Sequence, residues 1–322
     1  MLWLGTTLLL AGTAIGKIRD VVLFGDSFTD QSRQHSIANG TYPGKNYQEI
    51  YPPADTAADG GIQWPWYLGV NGNFKIWNYA VGGAVCSERL TPLYGMPDVS
   101  EGQMAWFIED HVVQQRLTLD AEQLVVVIYV GTNDIGIKSF ITGDQAANVT
   151  LGDVAECQLN TIWRMRKLGA RKFVLNSMIP LHLTRLYANS SAGTIYWPET
   201  HDGALWHRNA YEYVRSVNGM LRDGVARLNR EFAGDGKVVL FDTYGLFGEM
   251  YGHPWRYLNG TIAPNATGHC HQCPDANDWR QCGVGDCSAE ERDSYLWWDE
   301  LHPSEQAGRV LAVAIERLLL SW

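Results

Sequence analysis

After its first residue, the run from Gln123 to Val130, QLVVVIYV, is continuously apolar and rich in β-branched residues, with no alternation of polar and apolar positions. A strand of that pattern has no face that prefers water. It must be covered on both sides, which is the situation of a strand inside a parallel sheet flanked by helices. Shorter runs of the same character recur at 21–24 (VVLF), 74–79 (FKIWNY), 171–175 (RKFVL) and 237–241 (KVVLF). Between them, 101–117, 153–168 and 204–232 carry helical spacing, and Val310, Leu311, Ala314, Ile315, Leu318 and Leu319 form a helical stripe near the end. This order predicts an α/β fold: a parallel sheet covered by helices, with functional residues in loops at the C-terminal ends of the strands. No Pro- or Ser-rich linker, low-complexity tract or internal repeat interrupts the alternation. Residues 17–322 are therefore read as one domain with long loops at 31–66, 185–205 and 245–298.

The opening MLWLGTTLLLAGTAIG is an apolar run followed by small residues, with Ala14 and Gly16 placed before Lys17 as a cleavage pattern. Residues 1–16 are thus expected to be a signal peptide, with a buried first strand or helix as the alternative. No later segment approaches the roughly 20 apolar residues that span a bilayer, so a secreted, extracellular protein without a membrane span is expected. Asn-x-Ser/Thr sequons at Asn39, Asn148, Asn189, Asn259 and Asn265 support that route, each in a polar or Gly-containing stretch. The six cysteines, Cys86, Cys157, Cys270, Cys273, Cys282 and Cys287, form an even set suited to an oxidising compartment. Spacing alone leaves many connectivities open. The expectation is that the four in 270–287 bridge among themselves, leaving Cys86 with Cys157 by elimination. A rival reading makes that cluster a zinc site, with His269 and His271 beside the cysteines.

Twenty-five Lys and Arg stand against 35 Asp and Glu, a net charge of −10. Such a surface repels phosphate backbones and anionic lipid, and a nucleic-acid partner is not expected.

Four loop segments carry chemistry. Phe24-Gly25-Asp26-Ser27-Phe28-Thr29-Asp30 sets Ser27 just past the first strand, where a serine is a candidate nucleophile. Taken alone, Gly-Asp-Ser is also common turn chemistry. No G-x-S-x-G elbow exists in the chain, which disfavours the usual α/β-hydrolase arrangement. A serine needs a base, and the base an acidic orienter; Trp298-Asp299-Glu300-Leu301-His302-Pro303 supplies His302 and Asp299, with Pro303 suited to the first turn of the last helix. A tetrahedral intermediate needs preset donors. Asn133 in Tyr129-Val130-Gly131-Thr132-Asn133-Asp134, and the Gly82-Gly83 amides in Asn78-Tyr79-Ala80-Val81-Gly82-Gly83-Ala84, are placed to supply them.

FGDSFTD, NYAVGG, GTND and DELHPS, in that order from residue 24 to residue 304, resemble the four blocks of the GDSL, or SGNH, hydrolases. The resemblance covers nearly the whole chain after residue 16. It implies a three-layer α/β/α fold with a five-stranded parallel sheet, flavodoxin-like in order. It also implies Ser27 as nucleophile, His302 as base and Asp299 as orienter. Oxyanion donors would be the Ser27 amide, the Gly83 amide, with Gly82 as the alternative, and the Asn133 side chain. No cofactor or metal is implied. WWDELHPSEQAGRVLA and GGIQWPWYL are further similar to fungal acetylesterases of carbohydrate esterase family 16, implying removal of acetyl groups from hemicellulose oligosaccharides by a protein expected to act as a monomer.

Thirteen tryptophans suit sugar stacking. Trp64, Trp66, Trp197, Trp206, Trp255, Trp297 and Trp298 fall in or near the expected loops, and Trp64 or Trp66 with Trp297 or Trp298 are the first choices for substrate contact. Three rivals remain: a lipase or phospholipase on the same scaffold, a carbohydrate-binding protein without turnover, and a phosphatase using Asp26 or Asp30. The last lacks a D-x-D pair.

Overall fold

The computed structural model describes residues 18–38, 57–115 and 120–322. The proposed signal peptide and the Asn39 sequon lie outside these.

The apolar runs form five parallel strands: β1 (Asp20–Gly25), β2 (Lys75–Asn78), β3 (Leu124–Tyr129), β4 (Lys172–Asn176) and β5 (Lys237–Phe241). Their order is β2-β1-β3-β4-β5. β1 and β3 pair from Asp20 with Leu124 to Gly25 with Tyr129, and every residue of both is buried. The edge strands instead open on exposed lysines, Lys75 and Lys237, whose charge discourages further strand pairing. The chain runs outward from β1 to β2, returns across β1 to β3, then continues outward through β4 to β5. Direction reverses between β1 and β3, so the loops that follow these two strands flank the crevice where α/β sheets hold ligands.

Right-handed crossovers put helices on both faces of the sheet. On one face α2 (Trp64–Gly72) packs against α8 (Glu305–Leu320). On the other, α5 (Leu151–Lys167) packs against α6 (Gly203–Phe232). Thr150 starts α5 with a capping box to Asp153. α6 buries a stripe that includes Trp206, Ala210, Val214, Val217, Leu221 and Leu228. Gly224 lets the two helices touch, since a Cβ there would stand 2.2 Å from Leu159 Cδ1.

Short helices fill the connections: α1 (Arg33–Ala38), α3 (Met104–Ile108) within a helical stretch from Val99 to Val113, and α4 (Thr132–Ile135). The long loop expected at 245–298 has more regular structure than its Gly and Asp content suggested. It begins inside α7 (Thr243–Gly252), capped by the Asp242 side chain and anchored by buried Phe247 and Met250. It then holds a small parallel pair, β6 (Asn265–His269) and β7 (Tyr295–Trp297).

The disulfides are Cys86–Cys157, Cys270–Cys287 and Cys273–Cys282. This corrects the zinc alternative. His271 lies near Cys273 and Cys282, but those sulfurs are bonded to each other and offer no thiolate, and His271 Nδ1 is 2.8 Å from Asp286 Oδ2. Asn148, Asn189 and Asn259 are exposed, whereas Asn265 is half-buried with its Oδ1 accepting from the Gly268 amide at 2.8 Å. Among the described residues, no helix is long and apolar enough to cross a membrane.

Candidate active site

β1 ends at Gly25, where a Cβ would stand 2.5 Å from the Tyr129 carbonyl of β3, so only glycine lets the two strand ends close up. The chain then turns over Asp26. Its carboxylate accepts from the Phe28 amide at 3.0 Å, and its carbonyl accepts from the Thr29 and Asp30 amides, both at 3.0 Å. Ser27 is left at the tip of this turn, half-exposed. Asp26 itself is buried, and burial raises its carboxyl to about 7. Asp30 is buried too, accepting from the amides of Arg33 (2.6 Å), Gln34 (2.7 Å) and Gly82 (2.8 Å). These carboxylates build the loop, and the phosphatase reading loses its nucleophile.

At the other end of the chain, Ser304 caps α8 by accepting from the Ala307 amide. Just before the cap, Asp299 Oδ1 accepts from the backbone amides of Leu301 (2.8 Å) and His302 (2.7 Å). That short turn places the carboxylate against its neighbour's ring, with His302 Nδ1 3.0 Å from Asp299 Oδ2. His302 Nε2 is 2.8 Å from Ser27 Oγ. Residues 275 positions apart thus form one continuous hydrogen-bonded chain from carboxylate to imidazole to hydroxyl. Burial alone would raise Asp299; the positive charge and hydrogen bonds of His302, with the Tyr196 hydroxyl, outweigh it and hold the carboxyl at about 2. Burial lowers the His302 pKa, but the charge and hydrogen bond of Asp299, then the charges of Asp26 and Asp59, turn the net shift upward.

Asn133 follows β3 on α4. One of its Nδ2 hydrogens goes to the Ala84 carbonyl at 2.9 Å, which holds the amide and leaves the second hydrogen without an acceptor among the described residues. Its neighbour Asp134 locks the same block to the loop after β2, accepting from the Cys86 amide and the Thr91 hydroxyl, each at 3.0 Å. Burial raises Asp134 to about 7. The two glycines of that loop differ. The Gly82 amide is spent on Asp30, whereas the amides of Gly83 and Ser27 have no acceptor among the described residues. Gly83 has φ +79, a left-handed conformation that favours glycine.

Ser27, Gly83, Asn133 and His302 open on one cavity of about 550 Å³, whose walls include Leu93, Tyr94, Met96, Ile137, Tyr196 and Trp279. None of the four tryptophans first chosen for substrate contact lines it. Trp64 is buried and donates its indole hydrogen to the Phe28 carbonyl, bracing the serine loop from behind. Trp297 is buried against Phe247. Trp298 stacks on His271 at 5.0 Å, with the Arg292 guanidinium 4.8 Å from its ring. Trp66 is half-buried on α2, and Trp197 packs edge-on against buried Trp206. Trp255 is exposed beside His253.

None of the wall residues Leu93, Tyr94, Met96, Ile137, Tyr196 and Trp279 is marked by a sequence motif, and two of them stand next to the catalytic candidates. Tyr196 has its hydroxyl 2.5 Å from Asp299 Oδ2 and 3.1 Å from His302 Nδ1. Trp279 stands edge-on to Tyr196, ring centroids 5.7 Å apart.

Residues 21–315 match the family model described as GDSL-like Lipase/Acylhydrolase, a span containing every residue of this site. An acetylesterase of Hypocrea jecorina is 28% identical over 88% of this chain and 84% of its own. GDSL esterase/lipase 7 of Arabidopsis thaliana is 24% identical over 73% of this chain and 65% of its own. Among solved structures, an acetylxylan esterase of Geobacillus stearothermophilus aligns with a TM-score of 0.46 at 16% identity, covering 96% of both chains. With its four sequence blocks meeting at one sheet edge and the family match running through all of them, the chain belongs to the GDSL-like lipase/acylhydrolase family and is a carboxylic ester hydrolase.

Proposed function

We propose that the protein is a secreted serine esterase that removes acetyl groups from hemicellulose-derived oligosaccharides. The observation that carries the chemistry is the 2.8 Å contact between Ser27 Oγ and His302 Nε2, beside uncommitted donors at Ser27, Gly83 and Asn133. His302 takes the hydroxyl proton as Ser27 Oγ attacks the ester carbonyl. The oxyanion accepts from the amides of Ser27 and Gly83 and from Asn133 Nδ2. Gly83 fills this role rather than Gly82, whose amide is occupied by Asp30. His302 then returns the proton to the departing alkoxide, leaving acetyl-Ser27. Water, deprotonated by His302, attacks the acetyl carbonyl, and His302 passes that proton to Ser27 Oγ as the acyl–oxygen bond breaks, releasing acetic acid that ionises to acetate. Asp299, ionised down to about pH 2, keeps His302 in the tautomer that presents Nε2 as acceptor.

The acetyl assignment rests on the similarity to the Hypocrea jecorina acetylesterase, and the sugar assignment on the aromatic walls of the cavity. Export rests on the opening sequence, the sequons at Asn148, Asn189 and Asn259, and three disulfides. A second reading, an esterase for longer acyl chains, is favoured by one observation: about 550 Å³ with Leu93, Met96 and Ile137 in its walls exceeds what an acetyl group fills. A series of esters with one alcohol and lengthening acyl chains separates the two. An acetyl-sized niche loses burial of about 0.8 kcal/mol for each methylene it cannot admit, so kcat/KM falls beyond two carbons. A rise towards about eight carbons would replace acetylesterase by lipase.

A further inference from the structure

In ester hydrolysis the departing alcohol oxygen must lie within hydrogen-bond reach of the general acid, here His302 Nε2. The alcohol portion of the substrate therefore occupies the part of the cavity next to the His302 ring. That ring has two aromatic neighbours among the described residues. Phe28, 5.6 Å away, is buried core; Tyr196, 5.8 Å away, lines the cavity. Beyond Tyr196 stands Trp279, also on the cavity wall and 59% exposed.

An indole so exposed gains little from burial, yet this one is held in place. It begins a short turn, Trp279–Gln281, capped by the Asp278 carboxylate on the Arg280 amide. The Cys273–Cys282 disulfide closes the loop around the turn, and Cys270–Cys287 closes a wider loop outside it. Backbone bonds from Gly283 to Gln272 (2.8 Å) and from Cys287 to Cys270 (3.1 Å) add rungs between the two arms. A platform fixed in this way loses little conformational freedom when a ring settles on it.

We propose that Trp279, backed by Tyr196 and fixed by the nested disulfides, is the stacking platform for the alcohol portion of the ester, and so sets preference for ring alcohols. The pyranose identity of that ring rests on the acetyl-sugar reading above; the platform itself does not.

The test compares substrates that share an acetyl group and differ in alcohol: methyl acetate, cyclohexylmethyl acetate and an acetylated xylo-oligosaccharide. Trp279→Ala is expected to lower kcat/KM on the two ring substrates about tenfold more than on methyl acetate, mainly through KM. Trp279→Phe, which keeps an aromatic face, should recover part of that ratio. The double variant Cys273→Ser, Cys282→Ser should show the same selective loss with the indole still present. Equal effects of Trp279→Ala on methyl and cyclohexylmethyl acetate would overturn the platform. Wild-type enzyme that hydrolyses methyl acetate but no acetylated oligosaccharide would overturn the acetyl-sugar reading, while the cyclohexylmethyl ratio still decides Trp279.

Discussion

The Tyr196 hydroxyl, 2.5 Å from Asp299 Oδ2, and the His302 imidazole, 3.0 Å from the same oxygen, share one carboxylate. The tyrosine bond draws off part of the negative charge that would otherwise act on the imidazole. Tyr196→Phe leaves Asp299 a stronger acceptor, which favours the protonated ring. The groups whose charges bear most on His302 are Asp299, Asp26 and Asp59, all of which hold its pKa up against burial. Removing the tyrosine bond adds to that, so the acid limb of the kcat/KM profile, which reports deprotonation of His302, should move to higher pH. Turnover at neutral pH should fall about tenfold, the scale of a hydrogen bond to a charged group. A tyrosine that merely fills space would lower activity without moving the limb.

Four buried carboxyls give stability a definite pH dependence. Burial raises Asp26, Asp59, Asp134 and Glu300 to about 7. Such groups hold their protons more tightly folded than unfolded. The stability they contribute is fully present below about pH 4 and is lost as pH rises through about 7. His302, also raised, acts in the same sense: its contribution is present below about 6.5 and lost above its folded pKa. Asp299 has the opposite sign, but it acts only as pH falls from about 4 towards 2. The melting temperature should therefore be higher near about pH 5 than near about pH 8. Asp59→Asn should narrow the difference, because Asp59 Oδ2 is buried with no hydrogen-bond partner among the described residues. Calorimetry at both pH values checks this, and a flat or rising Tm would contradict it.

Asn133→Ala should lower kcat by about 10² to 10³ with little change in KM, the usual effect of removing one oxyanion donor. Its amide is already oriented by Ala84, so Asn133→Asp, which keeps the shape but offers no N–H, should fail comparably. Steady-state kinetics on one acetate ester measures both; near-wild-type turnover in either would remove Asn133 from the site.

Cys86–Cys157 joins the loop that carries Gly83 to α5 and closes 71 residues of chain. Replacing both cysteines by alanine should cost about 2–5 kcal/mol of stability. Denaturant unfolding monitored by Trp fluorescence would show it as a lower midpoint, and an unchanged midpoint would show that packing alone holds the loop.

The strands were legible because β1 and β3, buried on both faces, admit almost nothing but Val, Leu, Ile, Phe and Tyr. The parts of the site carried by short motifs were legible for a related reason. Ser27, Gly83, Asn133, Asp299 and His302 each sit where a strand or turn must end, and the local chemistry of that ending shows in neighbours such as Gly25, Asp134 and Pro303. The cavity wall was not. Tryptophans adjacent to those blocks are recruited to pack them, as Trp64 does beneath Phe28. Trp279 reaches the cavity from a loop closed by two disulfides, and Tyr196 reaches Asp299 from a stretch with no motif. Closure of that kind is a tertiary property with no local periodicity to reveal it.

Covalent labelling decides whether Ser27 is the nucleophile. A fluorophosphonate, which reacts with a serine activated by a neighbouring base, is incubated with the protein, and the site of modification is mapped by peptide mass spectrometry. A single adduct on Ser27 is expected, formed in step with loss of esterase activity, with no labelling of His302→Ala on the same timescale. An adduct on another residue, or a Ser27→Ala variant that keeps its turnover, would contradict it.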